Sequence, residues 1–199
     1  MGSSERHDKR ARILDAALSV FSRKGVLGTR IADIANEAGI AYGLVYHYFK
    51  NKEEILNTIF TERWAEITER LEVAERARGG TSTRLRSAAA VFIEAYRDRP
   101  QVVELLTIEF ARVSDILEPV NLEKVARAFG VVRRIIEKGQ DDGEIRRELN
   151  AGVLMLLLVG GLQHLLQSQA LGVFRPPAEF DARGAEMVVD AFLHGVAVA

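Results

Sequence analysis

Residues 29–56 read TRIADIANEAGIAYGLVYHYFKNKEEIL, and this stretch decides the fold. Ile31, Ile34, Ala35 and Ala38 recur at helical spacing and give one apolar face. Gly39 follows where a helix C-cap needs positive φ, a backbone region that glycine enters cheaply. The helical pattern resumes at about Tyr42 and ends near Phe49. Two short helices joined by a tight glycine turn form a helix-turn-helix, whose second helix can enter a DNA major groove.

Working outward, residues 8–24 carry Ile13, Ala17 and Phe21 at i+4 spacing with Leu14 and Leu18 beside them, and Gly25 ends this helix. The preceding arm, Arg6 to Arg12, is basic, and it suits either a phosphate backbone or a solvated helix start. Thr29 stands where its hydroxyl can cap the second helix. Asn51 is the N-cap of a fourth helix, whose first turn carries Glu53 and Glu54 at the positive end of the helix dipole. That helix continues through Ile55, Ile59, Trp64, Ile67 and Leu71 to about residue 78. It would be roughly 40 Å long at ~1.5 Å per residue. Further helices are expected over about 82–97, 101–115, 119–139, 150–171 and 180–196, separated by Gly79-Gly80, Pro100, Pro119, the polar turn 139–143 and Gly172 with Pro176-Pro177. No alternating strand pattern and no internal repeat is present. The fold class is all-α with about nine helices: a three-helix head over residues 1–51 and a helical-bundle body over 52–199.

Composition narrows the function classes. The chain has 199 residues, 48% hydrophobic and 28% charged, with no cysteine, so disulfides, thiolate zinc sites and cysteine nucleophiles are excluded. Four histidines give little material for a metal centre, and no phosphate-cradling loop, paired His/Glu zinc signature or serine elbow occurs. No catalytic residue, metal or cofactor is assigned, and the chain is not read as an enzyme. No apolar h-region follows Met1–Ser4, so a secretory signal is not expected. The longest apolar run, residues 151–162, is shorter than the ~20 residues of a membrane span, so no membrane association is expected and a cytoplasmic location is. Net charge is −1, but the first 60 residues carry nine Lys/Arg against seven Asp/Glu, and the rest eighteen against twenty-one. A slightly basic head on an acidic body results.

Taken together, Ile13-Leu14-Asp15-Ala16-Ala17, Phe21, Gly25, Thr29, Ile34-Ala35, Ala38-Gly39-Ile40-Ala41, Gly43, Val45-Tyr46, Tyr48-Phe49, Lys52-Glu53 and Leu56 resemble the TetR family of one-component transcriptional regulators. The resemblance covers roughly residues 8–60. It implies a DNA-binding head and a body that binds a small-molecule effector and dimerises. Gly43 keeps the start of the recognition helix slim, so that its backbone can approach the groove floor. Tyr42, Leu44 and His47 can reach base edges or thymine methyls. Tyr46 and Tyr48 can bond phosphates, with Lys52 adding charge and Thr29 and Arg30 lying against the backbone. Ala41 stands where the family often has Ser or Thr, and His47-Tyr48 reverses the usual order of aromatic then His.

The same resemblance implies an effector cavity within the body. Trp64, Phe92, Tyr96, Phe110 and Phe129 are candidate lining residues, and Glu109, Gln163, His164 and Gln167 are candidate polar handles. A lipophilic effector, fatty-acyl or aromatic, is implied. Ordinary core packing is the competing account of each of these residues. The apolar segment 150–171, with Gly160-Gly161, and the segment 180–196 are the implied homodimer interface, represented by Leu156, Gly160, Leu162, Val188 and Phe192. Double-stranded DNA with a palindromic operator would be the partner. The functional expectation is a repressor released by its effector. The alternatives are an activator, or a protein of this fold that acts through protein partners without DNA.

Overall fold

The computed structural model describes residues 2–100 and 119–196. Eight helices stand among them: α1 Gly2–Gly28, α2 Ile31–Ala38, α3 Tyr42–Tyr48, α4 Lys52–Glu75, α5 Thr81–Asp98, α6 Pro119–Asp141, α7 Ala151–Ala170 and α8 Phe180–Val196. Among the described residues there is no β-strand, so the chain is all-α. The helix expected over 101–115 lies outside those residues.

The chain packs as two compact units, and the division falls inside α4, between Arg63 and Trp64. In the first unit, Ile13, Ala17, Val20 and Phe21 of α1 meet Ile34 and Ala35 of α2, Val45 of α3, and Ile55 and Leu56 of α4 in a buried core. Helix α1 extends further at both ends than its apolar row predicts. The arm through Arg12 is its first turns, because Arg, Lys and Ala are strong helix formers. At the other end Gly25 kinks the helix with φ 69° and ψ 159°, and the chain completes one more turn to Gly28.

Side chains from neighbouring helices close the helix ends of this unit. Gly39 adopts φ 62° after α2, and the Gly39 and Ile40 N–H groups return to the Asn36 and Ala35 carbonyls, which is a Schellman C-cap. The Ala38 carbonyl accepts from the Arg12 guanidinium at 2.6 Å. At the start of α2 the cap differs from the expected one. The Thr29 hydroxyl donates to the Gly25 carbonyl at 2.7 Å, and Asp33 instead accepts the Arg30 N–H at 3.0 Å. Asn51 caps α4 as expected, accepting the Glu54 N–H at 2.8 Å.

In the second unit α5 packs against α7 and α8. Leu85, Ala88 and Phe92 of α5, Leu154, Leu158, Leu162 and Leu166 of α7, and Val189 of α8 are buried. Arg86 of α5 pairs with Asp190 of α8 at 2.6 Å. The turn after α6 is tied to α5 by Glu144, whose carboxylate accepts the Thr81 N–H at 2.8 Å. Helix α7 departs from one expectation. With 20 residues it is long and apolar enough to cross a bilayer, because the helix continues past the apolar run through Gln163, His164 and Gln167 without an Asp, Glu, Lys or Arg. Its buried leucine row is that of a core helix, while Val153, Leu156 and Leu157 on its opposite side are exposed.

Candidate nucleic-acid interface

Helix α3 is short, and its two sides differ sharply. Val45 is fully buried and the following Phe49 nearly so, which pins the helix to the head. Tyr42, Gly43, Tyr46 and His47 share the exposed side at i, i+1, i+4 and i+5, with Leu44 and Tyr48 half-buried at its margins and Ala41 exposed at the N-cap. Ala41 makes no side-chain cap, and its carbonyl takes the Leu44 N–H at 2.9 Å.

The aromatic side chains on this face are organised. The Tyr42 and Tyr46 rings meet edge to face with centroids 5.3 Å apart, and their hydroxyls share a hydrogen bond of 3.1 Å. That bond holds the Tyr46 phenol above its ordinary pKa, so Tyr46 stays a neutral hydroxyl. The His47 and Tyr48 rings are likewise edge to face at 5.2 Å. Two phenols fixed on one surface, one turn apart, offer hydroxyls to the acceptors of a duplex, phosphate oxygens and base edges alike.

Gly43 adds a separate observation. A Cβ built there meets nothing within 4 Å, and its φ is not positive. Neither the packing of the head nor its backbone conformation calls for glycine at this position.

The cations of the head divide into two groups. Arg12 caps α2, Arg23 binds Glu37 at 2.6 Å, and Lys24 binds Asp33 at 2.8 Å. These contacts lower the Glu37 carboxyl, chiefly through Arg23 and then Ser19. They lower Asp33 chiefly through Lys24 and then the Arg30 N–H. Arg10 binds Glu62 at 2.7 Å and lies over the Phe49 ring. Arg30 and Lys50 are exposed. The arm expected along phosphates thus turns two of its arginines, Arg10 and Arg12, toward the protein itself.

Two residues expected at DNA are engaged within the head. Thr29 is 2% exposed, and its hydroxyl is turned to Gly25. The Lys52 ammonium donates to the carbonyls of Val26, Leu27 and Thr29 at 2.9, 3.0 and 3.0 Å. An ammonium has three N–H donors, and all three are engaged.

In the second unit a cavity of about 140 Å³ is lined by Trp64, Thr68, Glu69, Glu72, Lys124 and Arg127. Trp64 and Phe129 meet edge to face at 5.9 Å, and Arg127 binds Glu72 at 2.9 Å. Of the expected effector residues, Trp64 lines this cavity and Phe129 adjoins it. Phe92 is buried on α5, Tyr96 is half-buried there, and Gln163 and Gln167 are half-buried on α7. Glu109 and Phe110 lie outside the described residues. His164 is exposed, on the same side of α7 as Val153, Leu157, Gly160 and Gly161. Lys124 and Arg127 escaped the sequence reading, since nothing in their spacing marks the aromatic pair beside them. No group of three or more acidic or histidine side chains placed to hold a metal occurs among the described residues.

The expected dimer residues also separate. Leu156 is 58% exposed and Leu157 62%, and Gly160 is exposed with them. Leu162 is 1% exposed. It lies one turn beyond Leu158 on the core side, so it cannot face a partner. Val188 and Phe192 of α8 are half-buried.

Comparison with known proteins gives a consistent picture. A family profile described as bacterial regulatory proteins, tetR family, matches residues 13–59. The HTH-type transcriptional repressor NicS of Pseudomonas putida is 31% identical over 151 residues, spanning 70% of this chain and 67% of that protein. The fatty acid metabolism regulator protein of Bacillus subtilis is 24% identical over 157 residues, 78% of this chain and 80% of that protein. Among solved structures, the transcriptional regulator FadR from Bacillus subtilis in complex with stearoyl-CoA has the same fold. Its TM-score is 0.80 at 21% identity, covering 93% of this chain and 98% of that one.

Proposed function

The chain belongs to the TetR family of bacterial regulatory proteins, and from that premise we propose that it is a homodimeric repressor of a palindromic operator, released by a fatty-acyl effector. The observation that carries the DNA reading is the outer side of α3. Tyr42 and Tyr46 form a fixed hydroxyl pair there, beside a glycine that nothing inside the head requires. Such a surface is explained by a close external partner. In this reading Gly43, with Ala41, lets the backbone approach the groove. Tyr42, Leu44 and His47 read base edges, Tyr46 and Tyr48 hold phosphates, and Arg30 adds charge from the start of α2. A protein that reads chromosomal DNA works in the cytoplasm.

The dimer is supported by the exposed side of α7. Val153, Leu156 and Leu157 are exposed large apolar side chains, and Gly160-Gly161, where an added Cβ would meet nothing within 4 Å, continues the stripe. An isologous contact between two such stripes covers both, and a pair of chains carries two α3 helices for the two half-sites of a palindrome.

The effector reading rests on the cavity beside Trp64, whose lining adds Thr68 and the charged Glu69, Glu72, Lys124 and Arg127, and on the fatty-acid regulators among the similar proteins. At about 140 Å³ the cavity is smaller than the roughly 300–1,000 Å³ of a typical ligand site, so an acyl chain must widen it. Widening moves Trp64 and Thr68, both on α4, and α4 begins at the head. A ligand that binds the widened state more tightly therefore shifts the protein toward it. Stearoyl-CoA is the probe for this reading. Titrated into the protein, it is expected to change the fluorescence of Trp64, the chain's single tryptophan, and to release bound operator over the same concentration range. Release with no change at Trp64, or no release at all, counts against the placement of the effector.

A further inference from the structure

Lys52 occupies the position that the resemblance assigns to phosphate, yet its geometry answers a different need. The carbonyls it meets, those of Val26, Leu27 and Thr29, lie at the end of α1 and in the link to α2. Helix C-termini leave such carbonyls without intrahelical partners and carry the negative end of the helix dipole. The Gly25 kink makes this end irregular, and the buried Thr29 ties back to it through its hydroxyl. One ammonium with three donors and three convergent acceptors satisfies all three carbonyls together and is left with no donor for DNA.

We propose that Lys52 is a positioning residue for operator recognition: a latch that fastens the first residue of α4 to the α1–α2 junction and so fixes the bearing of α2 and α3. A phosphate contact would require the ammonium to give up at least one of its three charge-assisted hydrogen bonds. A displacement of the first turn of α4 would likewise pull the latch open and free α2 and α3 from their DNA-reading orientation. Lys52 thus becomes the point at which movement of α4 reaches the recognition helix. This proposal rests on the DNA-binding reading above.

Arginine separates the two roles. Its planar fork suits phosphate at least as well as an ammonium does, but it cannot converge three donors on carbonyls gathered around one point. The test compares the wild type, Lys52→Arg and Lys52→Met on a duplex enriched by in vitro selection with the wild-type protein, across a salt series. A latch predicts that both variants lose at least about tenfold in affinity while the slope of log K against log salt stays that of the wild type. Wild-type affinity in Lys52→Arg, or a slope shallower by about one per subunit in Lys52→Met, overturns it. A second arm needs no variant, and its first half needs no DNA. In the free protein the ¹⁵N-labelled Lys52 ammonium is expected to give a slowly exchanging resonance, and this resonance keeps its shift when the duplex is added. Fast exchange in the free protein, or a shift on adding DNA, also overturns the proposal. If the wild type enriches no duplex, the DNA-binding reading fails, while the free-protein arm still decides whether the latch exists.

Discussion

Replacing Gly43 with alanine sets fold stability and DNA binding against each other. Gly43 is the second residue of α3, its φ is not in the positive region, and a Cβ there meets nothing within 4 Å. Alanine therefore fits without strain. It lowers the conformational entropy of the unfolded chain and gains helix propensity, together about 0.4–1 kcal/mol. For a chain of this size that raises the melting temperature by roughly 1–4 °C. If the backbone of Gly43 lies against DNA, the same methyl meets the duplex, and a forced methyl costs about 1–3 kcal/mol. A dimer carries two such methyls, so even about 1 kcal/mol at each half-site weakens operator binding about thirtyfold. Thermal unfolding and a gel-shift titration on the same preparation give both numbers. A rise in melting temperature with unchanged operator affinity would refute the claim that α3 approaches DNA at Gly43. A fall in melting temperature would refute the reading that the head has room for a Cβ there.

Three more outcomes follow from named contacts. Tyr46→Phe removes one exposed hydroxyl and the Tyr42 hydrogen bond. Stability should stay within about 0.5 kcal/mol and operator affinity should fall about tenfold or more, since hydrogen bonds to charged groups are worth about 1.5–3 kcal/mol. Leu157→Glu places a charge on the exposed side of α7. Light scattering should then report a monomer where the wild type is a dimer, with helix content by circular dichroism unchanged. Asp33 is held below its ordinary pKa, first by Lys24 and then by the Arg30 N–H. Its stabilising contribution is therefore present above the usual carboxylate range and is lost as pH falls through the lowered value. The difference in melting temperature between the wild type and Asp33→Asn should shrink as pH is taken from 7 to below about 4, and a constant difference would show that Asp33 is not ionically linked to folding.

The parts of the fold set by local chemistry were legible in the sequence. The apolar spacing of Ile31, Ile34, Ala35 and Ala38, the left-handed Gly39 and the Asn51 cap are each decided within four or five residues, and each stands where the sequence places it. Contacts that span many residues were not legible. Nothing local shows that Lys52 reaches back 26 residues to Val26, or that Arg12 reaches forward 26 to Ala38. Both cations therefore read as surface charge. Thr29 looked like a cap because threonine before a helix usually is one. Its hydroxyl was diverted by the carbonyl that the Gly25 kink exposes, and Asp33 took the cap instead.

Helix α7 failed for a different reason. The Leu154-Leu158-Leu162-Leu166 row and the Val153-Leu157-Gly160-His164 row are both at helical spacing and both largely apolar. Hydrophobic periodicity therefore cannot tell which one faces the core. Leu162, an expected partner contact, is buried in the core row. His164 was assigned to the cavity and is exposed, and as the polar member of its row it was the residue that marked the outer side. In the effector region, the cations Lys124 and Arg127 become neighbours of Trp64 only when α6 packs on α4.

The proposed function requires that two copies of α3 read one duplex. In vitro selection from a random double-stranded library, followed by sedimentation of the protein with the enriched duplex, tests this directly. The expected result is a palindrome whose half-site centres lie about one helical turn apart, bound by two chains or a whole multiple of two. Failure to enrich any sequence, or one chain bound to an asymmetric site, would contradict it.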